Sequence, residues 1–111
     1  MDQVIIGVDL GGTQMRVARF NAALDLLDRW AEPTRAHEGP DRVIPRLLDL
    51  IARAMPGDHG VVRGLGVSGP GPINPRTGII VSPPNLPGWH DVPLRAIVEE
   101  RFGCPVFLGN D

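Results

Sequence analysis

One stretch constrains this chain more than any other: Val4-Ile5-Ile6-Gly7-Val8-Asp9-Leu10, then Gly11-Gly12-Thr13, then Gln14-Met15-Arg16-Val17-Ala18-Arg19-Phe20. Two β-branched, apolar runs separated by an acid, a glycine pair and a hydroxyl predict a β-hairpin. Glycines at the tip let backbone N–H groups approach an anion with no Cβ in the way. On that reading the tip is a phosphate cradle, and Thr13 adds a hydroxyl donor to it. Asp9, at the strand end, then suits a hydrated Mg2+, a cation that keeps most of its waters and binds through one or two carboxylates. The same residues also fit an ordinary Gly-Gly hairpin with a solvated Asp9.

At 111 residues the chain makes one domain at most, long enough to bury a core of its own. Lys plus Arg number 11 against 13 Asp plus Glu, and no run concentrates the basic residues, which argues against nucleic acid as a partner. No apolar stretch approaches the length of a membrane span, and the N-terminus runs into a strand instead of a basic leader with an apolar core. A cytoplasmic location is the resulting expectation. Cys104 is the lone cysteine, so no internal disulfide is open to it, and its place before Pro105 in an apolar run suits a packed residue. The 14 glycines and 12 prolines are many for this length and point to loops that shape a cleft.

Along the chain, Asn21-Ala22-Ala23 is a turn, and Leu24 to Ala31 reads as a third strand, completing an antiparallel meander with Trp30 on its edge. Glu32 to Pro40 reads as a connection. Between Asp41 and Met55, Val43, Ile44, Leu47, Leu48, Ile51, Ala52 and Met55 recur at helical spacing, opposite Arg42, Arg46, Asp49 and Arg53. Pro45 is expected near the first turn of this helix, Pro56-Gly57 ends it, and the arginines read as a solvated face. Val61 to Ser68 is the next strand and leads into Gly69-Pro70-Gly71-Pro72. Gly64, Gly66 and Gly69 satisfy G-x-G-x-x-G, but Pro70, Pro72 and Pro75 forbid the helix that a dinucleotide fingerprint requires there.

Ile79-Ile80-Val81 is a short strand, followed by a proline-stiffened loop from Ser82 to His90. In that loop Asn85 offers a donor and an acceptor together, as sugar hydroxyls do, and Trp89 can wall a pocket; a surface loop with a structural Trp fits equally. A second helix is expected with Asp91 as its N-cap, Pro93 in its first turn, and Leu94, Ile97, Val98 and Phe102 as its apolar stripe up to Gly103. Pro105 to Leu108 is the last strand, and Gly109-Asn110-Asp111 lies at its carboxyl end, where open α/β sheets collect ligands.

Four motifs in this order, Asp9-Leu10-Gly11-Gly12-Thr13, Pro70-Gly71-Pro72, Pro84-Asn85-Leu86-Pro87-Gly88-Trp89 and Asn110-Asp111, resemble the N-terminal domain of the ROK family (repressor, open reading frame, kinase) over the whole chain. The resemblance implies an α/β, ribonuclease-H-like fold of the actin-like ATPase and hexokinase kind. Its mixed five-stranded sheet has an antiparallel three-strand meander and two parallel strands, flanked by helices. Residues 1–111 would be the N-terminal lobe of a two-lobe, glucokinase-like sugar kinase that uses ATP and Mg2+ to phosphorylate a hexose hydroxyl. Gly11, Gly12 and Thr13 would face the ATP phosphates, with Asp9 helping to hold Mg2+. Gly71, Asn85, Asn110 and Asp111 would line the sugar site, with Asp111 as catalytic base.

Gln14 stands where relatives often carry Asn or Lys. The adenosine site, the remaining sugar ligands, a zinc motif and any homo-oligomer contacts would belong to the C-terminal lobe, so the isolated chain is expected to fold without turnover. His37, His59 and His90 stand in no metal-ligand spacing with Cys104, and no zinc is expected in this stretch. Two other readings remain. A sugar-responsive ROK regulator would need a helix-turn-helix, for which a first strand starting by Val4 leaves no room ahead of it. A non-catalytic nucleotide switch of the actin or chaperone kind would share the hairpin, but the Asn85 loop and Asn110-Asp111 speak against it.

Overall fold

The computed structural model describes residues 2–57 and 60–111; His59 lies outside them. The hairpin forms as expected, with β1 (Asp2–Leu10) and β2 (Gln14–Asn21) joined by the three-residue turn 11–13. The meander closes with β3 (Leu26–Pro33). This strand starts later and runs further than the sequence suggests. Leu24, at φ 67°, and Asp25 stay in the turn, where Asn21 Oδ1 accepts the N–H groups of Ala23 and Asp25. After a single 3-10 turn (Ala36–Glu38), helix α1 (Pro40–Ala54) leads into β4 (Gly60–Gly69). A small hairpin follows, β5 (Ile73–Asn74) with β6 (Ile79–Ile80), then α2 (Leu94–Phe102) and β7 (Val106–Asn110).

The main sheet has the order β3-β2-β1-β4-β7; β1 is antiparallel to β2 and β2 to β3, whereas β1, β4 and β7 run parallel. Register explains its two faces. Val8 stands beside Val17 and Val67, and Val67 beside Leu108, so these four share a face, as do Ile6, Leu65 and Val106. All of them are buried in one core with Val43, Leu47, Leu50, Ile51 and Ala54 of α1 and Leu94 and Val98 of α2. Burying one apolar face against two helices is the main stabilising contribution in such a layered fold. The opposite face is poor in side chains, with Gly7 beside Ala18 and Gly66, while Phe107 stands 69% exposed.

Three local expectations are corrected. Pro40, not Asp41, opens α1, which puts Pro45 inside the helix, where the Asp41 carbonyl loses its usual i+4 donor. The buried stripe of α1 takes in Leu50 and Ala54 and leaves Ala52 exposed, a part-turn rotation from the expected face. Asp91 does not cap α2. Its N–H donates to the Val81 carbonyl at 2.8 Å, and Val92 exchanges two backbone hydrogen bonds of 2.9 Å with Ile80, so the helix starts only at Leu94. A bridge to the small hairpin thus takes the residues that a cap would need. Gly103 ends the helix with φ 65°, a left-handed closure that glycine adopts without strain.

Candidate functional site

β1, β4 and β7 all end on the same edge of the sheet. Asp9 pairs with Ser68, Ser68 with Gly109 and Gly69 with Asn110, and the Asp111 N–H donates to the Gly69 carbonyl at 3.0 Å. The glycine turn and the Asn110-Asp111 end therefore flank the tip of β4, at two inter-strand spacings or about 10 Å. Asp9 itself is half-buried on the open face. Its antiparallel neighbour Arg16 turns to Gln14 Oε1, at 3.2 and 3.3 Å, leaving the carboxylate at the mouth of a groove of about 630 Å3 with Ala18, Phe20 and Trp30.

Two loops close on this edge, and glycines record how tightly. A Cβ on Gly12 would sit 2.8 Å from the Cβ of Asn85 and 3.0 Å from its carbonyl oxygen. The phosphate-turn candidate and the proline loop therefore touch, and only a residue without a side chain fits between them. A Cβ on Gly71 would lie 2.6 Å from Asn110 Oδ1. Gly12 with Asn85, and Gly71 with Asn110 and its neighbour Asp111, are thus paired from four points in the chain at the same end of the sheet, and Asn85, Asn110 and Asp111 are exposed there. Trp89 is not at the surface: at 1% exposure it is a core anchor, as is Leu86. The pocket-wall reading of Trp89 gives way to the structural one, because the loop uses it to hold itself down.

Gly11 uses its own polar hydrogen within the turn. Its N–H donates to the Gln14 carbonyl at 3.0 Å, closing the turn, and a Cβ on it would meet that same oxygen at 2.8 Å. Among the described residues the N–H groups of Gly12 and Thr13 donate to no protein acceptor, so they are the donors left to an anion. Unengaged N–H groups at a turn are able to receive an anion. Asp9 suits Mg2+ in this setting: a single half-buried carboxylate beside the turn is enough for a cation that keeps its waters and takes its remaining ligands from phosphate.

Two residues passed over in the sequence belong to this edge. Thr34, in what reads as a mere connection, is fully buried; its Oγ1 donates to the Gly11 carbonyl at 2.7 Å and its N–H to the Thr13 carbonyl at 2.9 Å. Arg46, expected on a solvated helix face, instead folds inward. It donates to the Thr34 carbonyl at 2.5 Å, bonds to Glu38 and stands 4.0 Å from Glu32. The Glu38 carboxyl is held below the usual range chiefly by the hydrogen bond from Arg46.

A mixed sheet with this order, an antiparallel meander leading into parallel strands flanked by helices, defines the ribonuclease-H-like α/β class shared by actin-like ATPases and hexokinases. Within that class the chain belongs to the ROK family, whose pattern matches residues 5–111. It is 36% identical to a glucokinase of Thermotoga maritima over 107 residues, 96% of this chain and 33% of the relative. It is 30% identical to a xylose repressor of Caldicellulosiruptor bescii, over 96% of this chain and 27% of that one. The crystal structure of a ROK hexokinase from Thermus thermophilus superposes with a TM-score of 0.82 at 38% identity, covering 96% of this chain and 35% of that one. The chain thus spans about a third of the length of the relatives it matches.

Proposed function

We propose that residues 1–111 are the N-terminal lobe of an ATP-dependent sugar kinase that moves the γ-phosphoryl group to a hexose hydroxyl. The observation that carries this reading is the contact of Gly12 with Asn85, which sets the anion-binding turn against a loop suited to sugar hydroxyls. Kinship to a glucokinase and a hexokinase supports it.

Phosphoryl transfer asks a protein mainly for positioning and for stabilisation of spreading negative charge. The N–H groups of Gly12 and Thr13 bind phosphate oxygens, and the Thr13 hydroxyl adds a donor. Asp9 holds Mg2+, which when bound neutralises charge on the phosphates. Asn85 and Asn110 orient the sugar, Gly71 lets it approach the backbone, and the Asp111 carboxylate accepts the proton of the attacking hydroxyl as the new P–O bond forms. A second lobe closing over this edge excludes water, so the lobe alone has little turnover.

The test is ADP release by the full-length parent protein with ATP and a panel of hexoses and N-acetylhexosamines. Turnover with at least one sugar is expected; none with any of them contradicts the proposal. A second reading, a sugar-responsive transcriptional regulator, is favoured by the xylose-repressor kinship. Sequence-specific DNA binding by the full-length protein, released by a sugar and without ADP formation, distinguishes it.

A further inference from the structure

The bonds around Thr34 have a directional consequence. In a trans peptide the C=O and the following N–H point in opposite directions. The Thr34 hydroxyl holds the Gly11 carbonyl toward itself at 2.7 Å, so the N–H of Gly12, in the same peptide unit, is turned away from Thr34. Thr34 also grips the far side of the turn through its N–H and the Thr13 carbonyl. Gly12 lies between these two clamps, and glycine has the greatest freedom to rotate its peptide planes if either is released.

Thr34 is fixed in turn. Its carbonyl accepts from Arg46, and Arg46 reaches it from α1 while bonded to Glu38 and close to Glu32, itself 3.9 Å from Arg53. Every polar group of Thr34 is therefore engaged, and it is the buried polar side chain of a core otherwise made of apolar residues among those described. A buried hydroxyl costs free energy unless bonded, and a valine of nearly the same shape would fill the space without that cost. Packing therefore does not explain the hydroxyl.

We infer that Thr34 is a positioning residue that aims the Gly12 N–H at the nucleotide's phosphates, with Arg46 anchoring it to α1. The inference rests on the kinase reading and adds to it a residue that touches no substrate. In the full-length protein, calorimetric titration with MgADP reads the effect. Thr34→Val is expected to weaken MgADP about tenfold, and Thr34→Ser, which keeps the hydroxyl, to stay within about twofold of wild type. Arg46→Gln is expected to weaken MgADP about threefold, and carries the same test if Thr34→Val does not fold.

A merely structural threonine would instead lower the melting temperature of Thr34→Val and leave its MgADP affinity at the wild-type value; that result overturns the inference. So does equal weakening in Thr34→Ser. A wild-type protein that binds no MgADP defeats the kinase reading and this inference with it, whereas a wild type that binds, with Thr34→Val unchanged, defeats this inference alone.

Discussion

The two loops that meet at the sheet edge are made rigid by opposite means. Among the described residues the turn 11–13 has no apolar anchor and one hydrogen bond of its own, Gly11 N–H to Gln14, and borrows its shape from Thr34, 21 or more positions away in the chain. The segment from Pro70 to Val92 holds itself. Prolines fix its φ angles, Leu86 and Trp89 plug it into the core, β5 pairs with β6, and Asn74 Oδ1 accepts the N–H groups of Arg76 and Thr77. A loop stiffened by burial should fail through loss of stability. A turn stiffened by borrowed hydrogen bonds should fail through loss of aim, with the fold intact.

The largest effect expected from this contrast is on the proline loop. Trp89→Ala, removing a side chain that is 1% exposed, should destabilise the protein by about 3–5 kcal/mol in urea unfolding. Leu86→Ala should cost about 2–5 kcal/mol by the same mechanism. Gly12→Ala sharpens the comparison because it strikes where the two loops touch. The added Cβ would stand 2.8 Å from that of Asn85 and must push the loops apart, at about 1–3 kcal/mol of stability. Binding of MgADP and of sugar by the full-length protein should both suffer. Equal stability losses from Trp89→Ala and Thr34→Val would erase the distinction, since the second should cost only about 1 kcal/mol.

The smallest effect concerns the support behind Thr34. The Glu38 carboxyl titrates below its ordinary value of 4.5 because Arg46 donates to it. A lowered folded-state value means that the pair's contribution is present in full above the unfolded value and lost as the pH falls through the folded one. Thermal melts from pH 6 downward should therefore show a small difference between wild type and Glu38→Gln that shrinks as the pH falls below the ordinary value of 4.5. Cys104 gives an independent check on packing: burial pushes its thiol above the ordinary value of 9.0, so alkylation at pH 8 should be slower than for an unfolded cysteine.

Much of the sheet was legible because its signals are local. The alternation in Val4, Ile6, Val8 and Leu10, the turn at Asn21 and the stop at Gly103 each depend on a few neighbouring residues. The motifs at Asp9 to Thr13, Gly71, Asn85, Asn110 and Asp111 could be ordered along the chain; the register brings Asp9 and Asn110 to the same end of the sheet, and close approaches set Asn85 on Gly12 and Gly71 on Asn110. What stayed hidden depends on partners distant in sequence. Asp91 looks like a cap until Val81 takes its N–H, and Arg46 looks solvated until the strand end at Thr34 comes beneath it. Trp89 carries the same letters in a pocket wall as in a core anchor, and only burial separates the two.

On the proposed kinase reading, the Asp111 carboxylate and the Gly12 turn serve one phosphoryl transfer. The decisive comparison is Asp111→Asn against wild type in the full-length protein, measuring hexose-dependent ADP formation. A loss in kcat of about a hundredfold or more is expected, as removal of a general base produces, with MgADP still bound as in wild type. An Asp111→Asn protein that turns over at the wild-type rate would contradict it.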